Sequence, residues 1–227
     1  MVVAVIPARG GSKRIPRKNL TPIAGKPLVV HSIKHALQSK RVSRVLVSTD
    51  DSKIAAVSHR AGAEVVIRPK DISGDEATSE SAIAHALDQL SGEPDLVVFL
   101  QATSPVRRRF DIDRAIEQLE RDELDSIFSA CTNNKLLWQV GPGGPRSLNY
   151  DYRSRKREQE FHPEFRENGS LYVFKPGILR AEHNRIGGRM GVYVMPEWAS
   201  FQVDQPWEIR LIEWILKNQK RLERFEP

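Results

Sequence analysis

Five cations, Arg9, Lys13, Arg14, Arg17 and Lys18, lie within Ala8-Arg9-Gly10-Gly11-Ser12-Lys13-Arg14-Ile15-Pro16-Arg17-Lys18-Asn19, and Lys26 follows in Gly25-Lys26-Pro27. Guanidinium and ammonium groups on a glycine-broken loop suit a polyphosphate, because the cations neutralise it and the glycine backbone can approach it closely. The glycines fit neither the G-x-G-x-x-G dinucleotide pattern nor the G-x-x-x-x-G-K-[ST] phosphate loop. A solvated basic face or a nucleic-acid patch would carry the same charge. Against both, the cations sit in one short loop after the apolar run Val2-Val3-Ala4-Val5-Ile6, with no aromatic residue interleaved for base stacking. The first acidic residue is Asp50, so ten of the 35 basic residues and none of the 29 acidic ones precede it, and the whole net charge of +6 belongs to the first fifth. This predicts a loop in which no nearby carboxylate competes with a bound anion.

Other polar residues close apolar runs further along: Ser48-Thr49-Asp50, Arg68 and Gln101-Ala102-Thr103-Ser104. Of the six histidines only His31 and His35 stand at i, i+4, and with no carboxylate companion that pair reads as structural. The single cysteine, Cys131, excludes an intramolecular disulfide, suits a reducing compartment and reads as a core residue.

The elements that position these groups alternate. Runs rich in β-branched residues (2–8, 45–47, 64–67, 96–102, 127–131) are separated by segments of helical period (28–37, 52–61, 78–90, 111–119). That alternation predicts an α/β fold with a doubly wound, mostly parallel, Rossmann-like sheet whose ligand site lies at the carboxyl ends of the strands. The pattern breaks over 133–166, which holds Gly141-Pro142-Gly143-Gly144-Pro145 and the charged run 153–158. About 30 structureless residues inside a compact domain are uncommon, so this stretch reads as an excursion packed on another subunit. The core is then 1–132 and 167–227, closed by a helix from Trp207 to Leu222. No apolar stretch approaches the roughly 20 residues that cross a bilayer, and the opening apolar run is too short for a secretory signal. A soluble cytoplasmic protein is expected.

Ile6-Pro7-Ala8-Arg9-Gly10-Gly11-Ser12-Lys13, Ile15-Pro16-Arg17-Lys18-Asn19-Leu20 and Gly25-Lys26-Pro27-Leu28 together resemble the opening signature of the acylneuraminate cytidylyltransferases, or CMP-sialic acid synthetases. The relatives that activate legionaminic and pseudaminic acids share it. The resemblance continues through Val47-Ser48-Thr49-Asp50, Arg68-Pro69, Leu100-Gln101-Ala102-Thr103-Ser104-Pro105, Phe165-Arg166-Glu167-Asn168-Gly169 and the Asp204 segment.

The resemblance implies a nucleotidyltransferase that joins CTP and a nonulosonic acid into a CMP-sugar and pyrophosphate, with Mg²⁺, as a cytoplasmic homodimer that needs neither nucleic acid nor membrane. It implies catalytic roles for Arg9 and Lys18, and nucleotide contacts from Ala8, Arg9, Gly10, Gly11, Ser12, Lys13, Lys18, Asn19, Arg68, Ala77 and Ser79. The sugar falls to Gln101, Arg166, Asn168 and, from the excursion, Arg157. Asp204 is the implied metal ligand. Where the family carries Asp-x-Asp, this chain reads Gln202-Val203-Asp204, and Asp204-Gln205-Pro206 also has the character of a helix cap. A CMP-Kdo-type synthetase, or a non-catalytic nucleotide- or RNA-binding relative, would share much of this pattern.

Overall fold

The computed structural model describes residues 1–155, 157 and 164–225. The chain runs β1 (Val2–Pro7), the small hairpin β2 (Pro22–Ile23) and β3 (Lys26–Pro27), α1 (Leu28–Gln38), β4 (Arg44–Thr49), α2 (Ser52–Arg60) and β5 (Glu64–Ile67). It continues through α3 (Ser79–Asp88), β6 (Leu96–Leu100), α4 (Asp111–Arg121), β7 (Ser126–Asn133) and the hairpin β8 (Trp138–Gly141) and β9 (Gly144–Ser147). Last come β10 (Glu164–Phe174), α5 (Pro176–Glu182), β11 (Met190–Val194) and α6 (Pro206–Leu222).

Seven strands form one sheet in the order β11-β7-β10-β6-β1-β4-β5. All neighbours are parallel except β10, which runs antiparallel to both β6 and β7. β1 sits inside this sheet, and its alternate residues enter two separate cores. Ala4 and Ile6 pack with Leu28, Ile33, Ile116 and Ile212 on one face, while Val3 and Val5 pack with Leu46, Ile83, Phe99 and Tyr172 on the other. Burial on both faces is why this strand is apolar throughout rather than alternating with polar residues.

Local chemistry sets where the helices begin. Asp51 caps α2 by accepting from the amides of Lys53 and Ile54, and Thr78 caps α3 by accepting from Ser81. At α6 the cap is Gln205, in a capping box with Glu208 and with Pro206 in the first turn. Asp204 is therefore not the cap, and its carboxylate is directed elsewhere.

The excursion holds more order than its composition predicts. Trp138 pairs with Ser147 and Val140 with Pro145, around a turn in which Gly144 takes φ +90°. Trp138 packs edge-to-face with Tyr150 and at a tilt with Tyr152, at centroid distances of 6.0 and 5.5 Å. The stem is continuous with the core sheet, because β7 and β10 pair as far out as Asn133 and Glu164. Of the charged run 153–158, Lys156 and Glu158 lie outside the described residues, whereas Arg157 is exposed. Among the described residues no helix is long and apolar enough to cross a membrane.

Candidate functional site

Four strands end side by side, and the residues that follow them, Arg9 after β1, Asp50 after β4, Arg68 after β5 and Gln101 after β6, meet at one edge of the sheet. A cleft of about 480 Å³ opens there. Its walls include Arg9, Ser12, Lys13, Arg14, Lys18, Asn19, Arg68, Ala77, Ser79, Gln101, Thr103 and Asp204. Residues up to 195 positions apart in sequence thus converge where a doubly wound sheet binds its ligands.

The loop after β1 is held from below. The Gly10 amide donates to Asp50 Oδ1 at 2.8 Å, and a Cβ on Gly10 would lie 2.8 Å from Asp51 Cβ. Glycine is required here by the approach of α2, and its amide is already engaged. Ala8 is buried, and its amide donates to the Ser48 carbonyl. Gly11 has open space around it.

The cations are not free of carboxylates, contrary to the expectation drawn from the acid-free opening stretch. Arg9 Nη1 donates to the Gly74 carbonyl at 2.9 Å and lies 3.3 Å from Asp75 Oδ1, while Lys13 Nζ lies 2.6 Å from Asp75 Oδ2. The hydrogen bond from Lys13 keeps the Asp75 carboxyl below its usual range. Lys18 Nζ donates to the Val203 carbonyl at 2.9 Å and to Asp204 Oδ1 at 3.0 Å. The loop before α3 and the segment before α6 each bring an aspartate to these cations.

On the opposite wall Arg68 is buried, donating from Nε to Ser48 Oγ at 3.1 Å and from Nη2 to the Ser48 carbonyl at 2.7 Å. Burial holds its pKa below the usual value, and the field of Asp50 acts against that shift. Asn19 Nδ2 donates to the Arg9 carbonyl at 2.9 Å, whereas its buried Oδ1 has no partner. Ala77 and Ser79 flank the cap of α3, so the start of that helix faces the cleft.

Gln101 turns its side chain into the cleft, beside Gly169. Gly169 takes φ +67°, and a Cβ there would stand 2.6 Å from both Gln101 Oε1 and Gln202 Nε2. Asn168, expected at the sugar, instead lies buried in the irregular part of β10 with its amide committed internally. Its Oδ1 accepts from Ser129 Oγ at 2.6 Å and from the Ser170 amide at 3.1 Å, and its Nδ2 donates to Ser200 Oγ at 3.1 Å. Arg166 and Arg157 do not line the cleft; Arg166 is exposed, 3.4 Å from Cys131 Sγ and 3.8 Å from Glu197.

Asp204 is the carboxylate that Lys18 holds at the cleft, and no group of three or more His, Cys, Asp or Glu side chains able to hold a metal is found among the described residues. One carboxylate fits a hard cation such as Mg²⁺ only where phosphate oxygens complete the shell. Gln202 Nε2 donates to the Asn168 carbonyl at 2.6 Å, so this side chain acts as a donor where the family has a carboxylate. Sequence reasoning missed Asp75 and Arg107, and neither carries a local signal. Asp75 stands in an irregular loop, and Arg107 follows Ser104-Pro105-Val106 as one of three consecutive arginines.

Residues 3–186 match the family of cytidylyltransferases. The N-acylneuraminate cytidylyltransferase of Oncorhynchus mykiss is 35% identical over 214 residues, which cover 92% of this chain and 49% of that protein. The pseudaminic acid cytidylyltransferase of Campylobacter jejuni is 37% identical over 132 residues, 56% of this chain and 57% of that one. The chain spans about half the length of the curated relatives it matches. In fold it is similar to a CMP:2-keto-3-deoxy-manno-octonic acid synthetase solved with CTP, with a TM-score of 0.74 at 21% identity over 96% of this chain and 99% of that one.

Proposed function

The chain belongs to the cytidylyltransferase family, and from that premise we propose that it transfers CMP from CTP to a nonulosonic acid of the acylneuraminate type. The observation that carries this reading is the cleft itself, in which three loop cations, a buried arginine and Asn19 line one space. Arg9, Lys13 and Lys18 suit the triphosphate. Arg68 and Asn19 suit the planar donors and acceptors of cytosine.

In the transfer, the anomeric hydroxyl of the acid attacks the α-phosphorus. The new P–O bond forms as the bond from that phosphorus to the β-phosphate bridging oxygen breaks, and the hydroxyl proton leaves to solvent. Charge grows on the phosphoryl and leaving oxygens, where Arg9 and Lys18 stabilise it. Asp204 would hold Mg²⁺ together with phosphate oxygens, and the bound ion would supply further neutralisation of that charge. Transferring Lys18 from Asp204 to a phosphate would release the carboxylate for this role. Gln101, on the far side of the cleft, offers an amide to the sugar.

Homodimer formation through the excursion suits its exposed Leu137, Trp138, Val140 and Tyr152, which no other part of the chain covers among the described residues. The buried Cys131 is consistent with a reducing, cytoplasmic setting. The testing experiment incubates the protein with each of the four nucleoside triphosphates, Mg²⁺ and sialic, legionaminic, pseudaminic and Kdo acids, following pyrophosphate. Release with CTP and a nine-carbon acid is expected. Release only with Kdo would reassign the acid, and no release with any pairing would overturn the reading.

A further inference from the structure

Arg107 takes no part in the chemistry above, yet its side chain is wholly buried beside the cleft. Nη1 donates to Ser32 Oγ at 3.0 Å, and Nη2 donates to the carbonyls of Gln101 at 3.0 Å and Ser170 at 2.6 Å. Nε has no partner, and among the described residues Arg107 forms no ion pair. Asp111, whose field favours its charge, is already bonded to Arg108 and Tyr193. Burial of a cation against neutral oxygens costs stability, and an apolar side chain of similar volume often serves a core as well or better. A pure packing role therefore accounts poorly for an arginine.

Its acceptors supply a role. The β6–β10 ladder ends at the pair Leu100 and Leu171. Gln101 and Ser170 are the next residues on the two strands, where the backbones stop pairing with each other and open around the cleft. One guanidinium nitrogen bridges the two carbonyls at that fork. Ser32 Oγ reinforces it, accepting from Arg107 and donating to the Gln101 carbonyl at 3.2 Å. Immediately beyond the fork lie the Gln101 side chain and Gly169, against which Gln101 Oε1 packs.

We infer that Arg107 is a positioning residue: it clips the open end of β6 and β10 and so sets the Gln101 amide for the acid substrate, leaving the nucleotide side untouched. This rests on the proposed CMP transfer and deepens it. Arg9, Lys13 and Lys18 follow β1 and Arg68 follows β5, whereas the Arg107 side chain hydrogen-bonds to α1 and to the ends of β6 and β10.

The test is a split between substrates in Arg107→Met and Arg107→Lys. Acid affinity is measured by calorimetry and by KM for pyrophosphate release, and CTP affinity by calorimetry alone. Arg107→Met is expected to weaken acid binding about tenfold or more, with CTP binding changed less than about twofold. Arg107→Lys keeps the charge but cannot bridge both carbonyls in the same fork, and it falls between wild type and Met. Should both variants fail to fold, Ser32→Ala removes the reinforcing hydroxyl and weakens acid binding about threefold. The inference is overturned if acid and CTP affinities fall together, or if acid affinity is unmoved. A wild-type protein that binds CTP but no acid would overturn both this inference and the choice of acceptor, whereas an active wild type without the split overturns the inference alone.

Discussion

Gly169→Ala is a one-carbon change whose consequences follow from geometry. At φ +67° the added Cβ meets Gln101 Oε1 and Gln202 Nε2, each 2.6 Å away. A left-handed backbone with a Cβ costs about 1–2 kcal/mol. Displacing Gln202 from the Asn168 carbonyl removes a hydrogen bond worth about 1 kcal/mol net. Alanine's stiffer unfolded chain offsets about 0.4–1 kcal/mol of this. The net loss is about 2 kcal/mol, which for a chain of this size lowers the thermal midpoint by about 4–8 °C. Function should shift on one side only, with a higher KM for the acid as the Gln101 amide is pushed aside and CTP affinity near wild type. Urea unfolding and initial-rate kinetics measure both effects, with Gly143→Ala as control, since Gly143 has neither positive φ nor a neighbour at the Cβ position. A stability change below about 0.5 kcal/mol, or an unmoved acid KM, would refute the placement of Gln101 and Gln202 around Gly169.

Asp75→Asn removes the carboxylate that pairs with Arg9 and Lys13 in the free protein, and CTP binding measured at low salt is expected to tighten about threefold. Weaker binding would mean that Asp75 supports the nucleotide rather than competing with it. Burial drives His35 from 6.5 down to about 3, with the charge of Arg107 adding to the shift. The folded protein thus binds fewer protons than the unfolded chain below pH 6.5, and stability is lost as pH falls through that window. Urea midpoints from pH 7.5 to 4.5 should show this slope, and His35→Gln should flatten it. Gln202→Asp places a carboxylate where an amide donates to the Asn168 carbonyl, so a loss of about 1 kcal/mol is expected. A more stable variant with a lower Mg²⁺ requirement would contradict that role.

The sheet and most of its helices are legible in the sequence because each central strand is buried on both faces and each helix shows its period. β1 and α1 fall within a residue or so of the predicted runs. The β8–β9 hairpin is not legible, since Gly141-Pro142-Gly143-Gly144-Pro145 reads as a breaker and the flanking strands are four residues each, largely exposed and too short to show a period. α5 is short and begins at Pro176, with only Lys175 between it and the end of β10. At the site, motif order places Arg9, Lys13, Lys18, Asn19, Arg68, Gln101 and Asp204 at one cleft. It does not foresee that Asp75 and Asp204 come to pair with the loop cations, because those pairs join residues far apart in the chain and not sequence neighbours. Asn168 shares the family motif with Gly169, yet its hydrogen bonds all point inward, a distinction that depends on the irregular turn of β10.

On the proposed function, the glycine-broken loop holds a triphosphate through Arg9. Among the described residues the half-buried Arg9 side chain bonds to the Gly74 carbonyl and pairs with Asp75, contacts at the rim of the cleft that Arg9→Ala should remove with the thermal midpoint nearly unchanged. Pyrophosphate release from CTP, with Mg²⁺ and an accepted nonulosonic acid, should fall about 100-fold or more. A variant that folds as well as wild type and releases pyrophosphate at the wild-type rate would contradict the account.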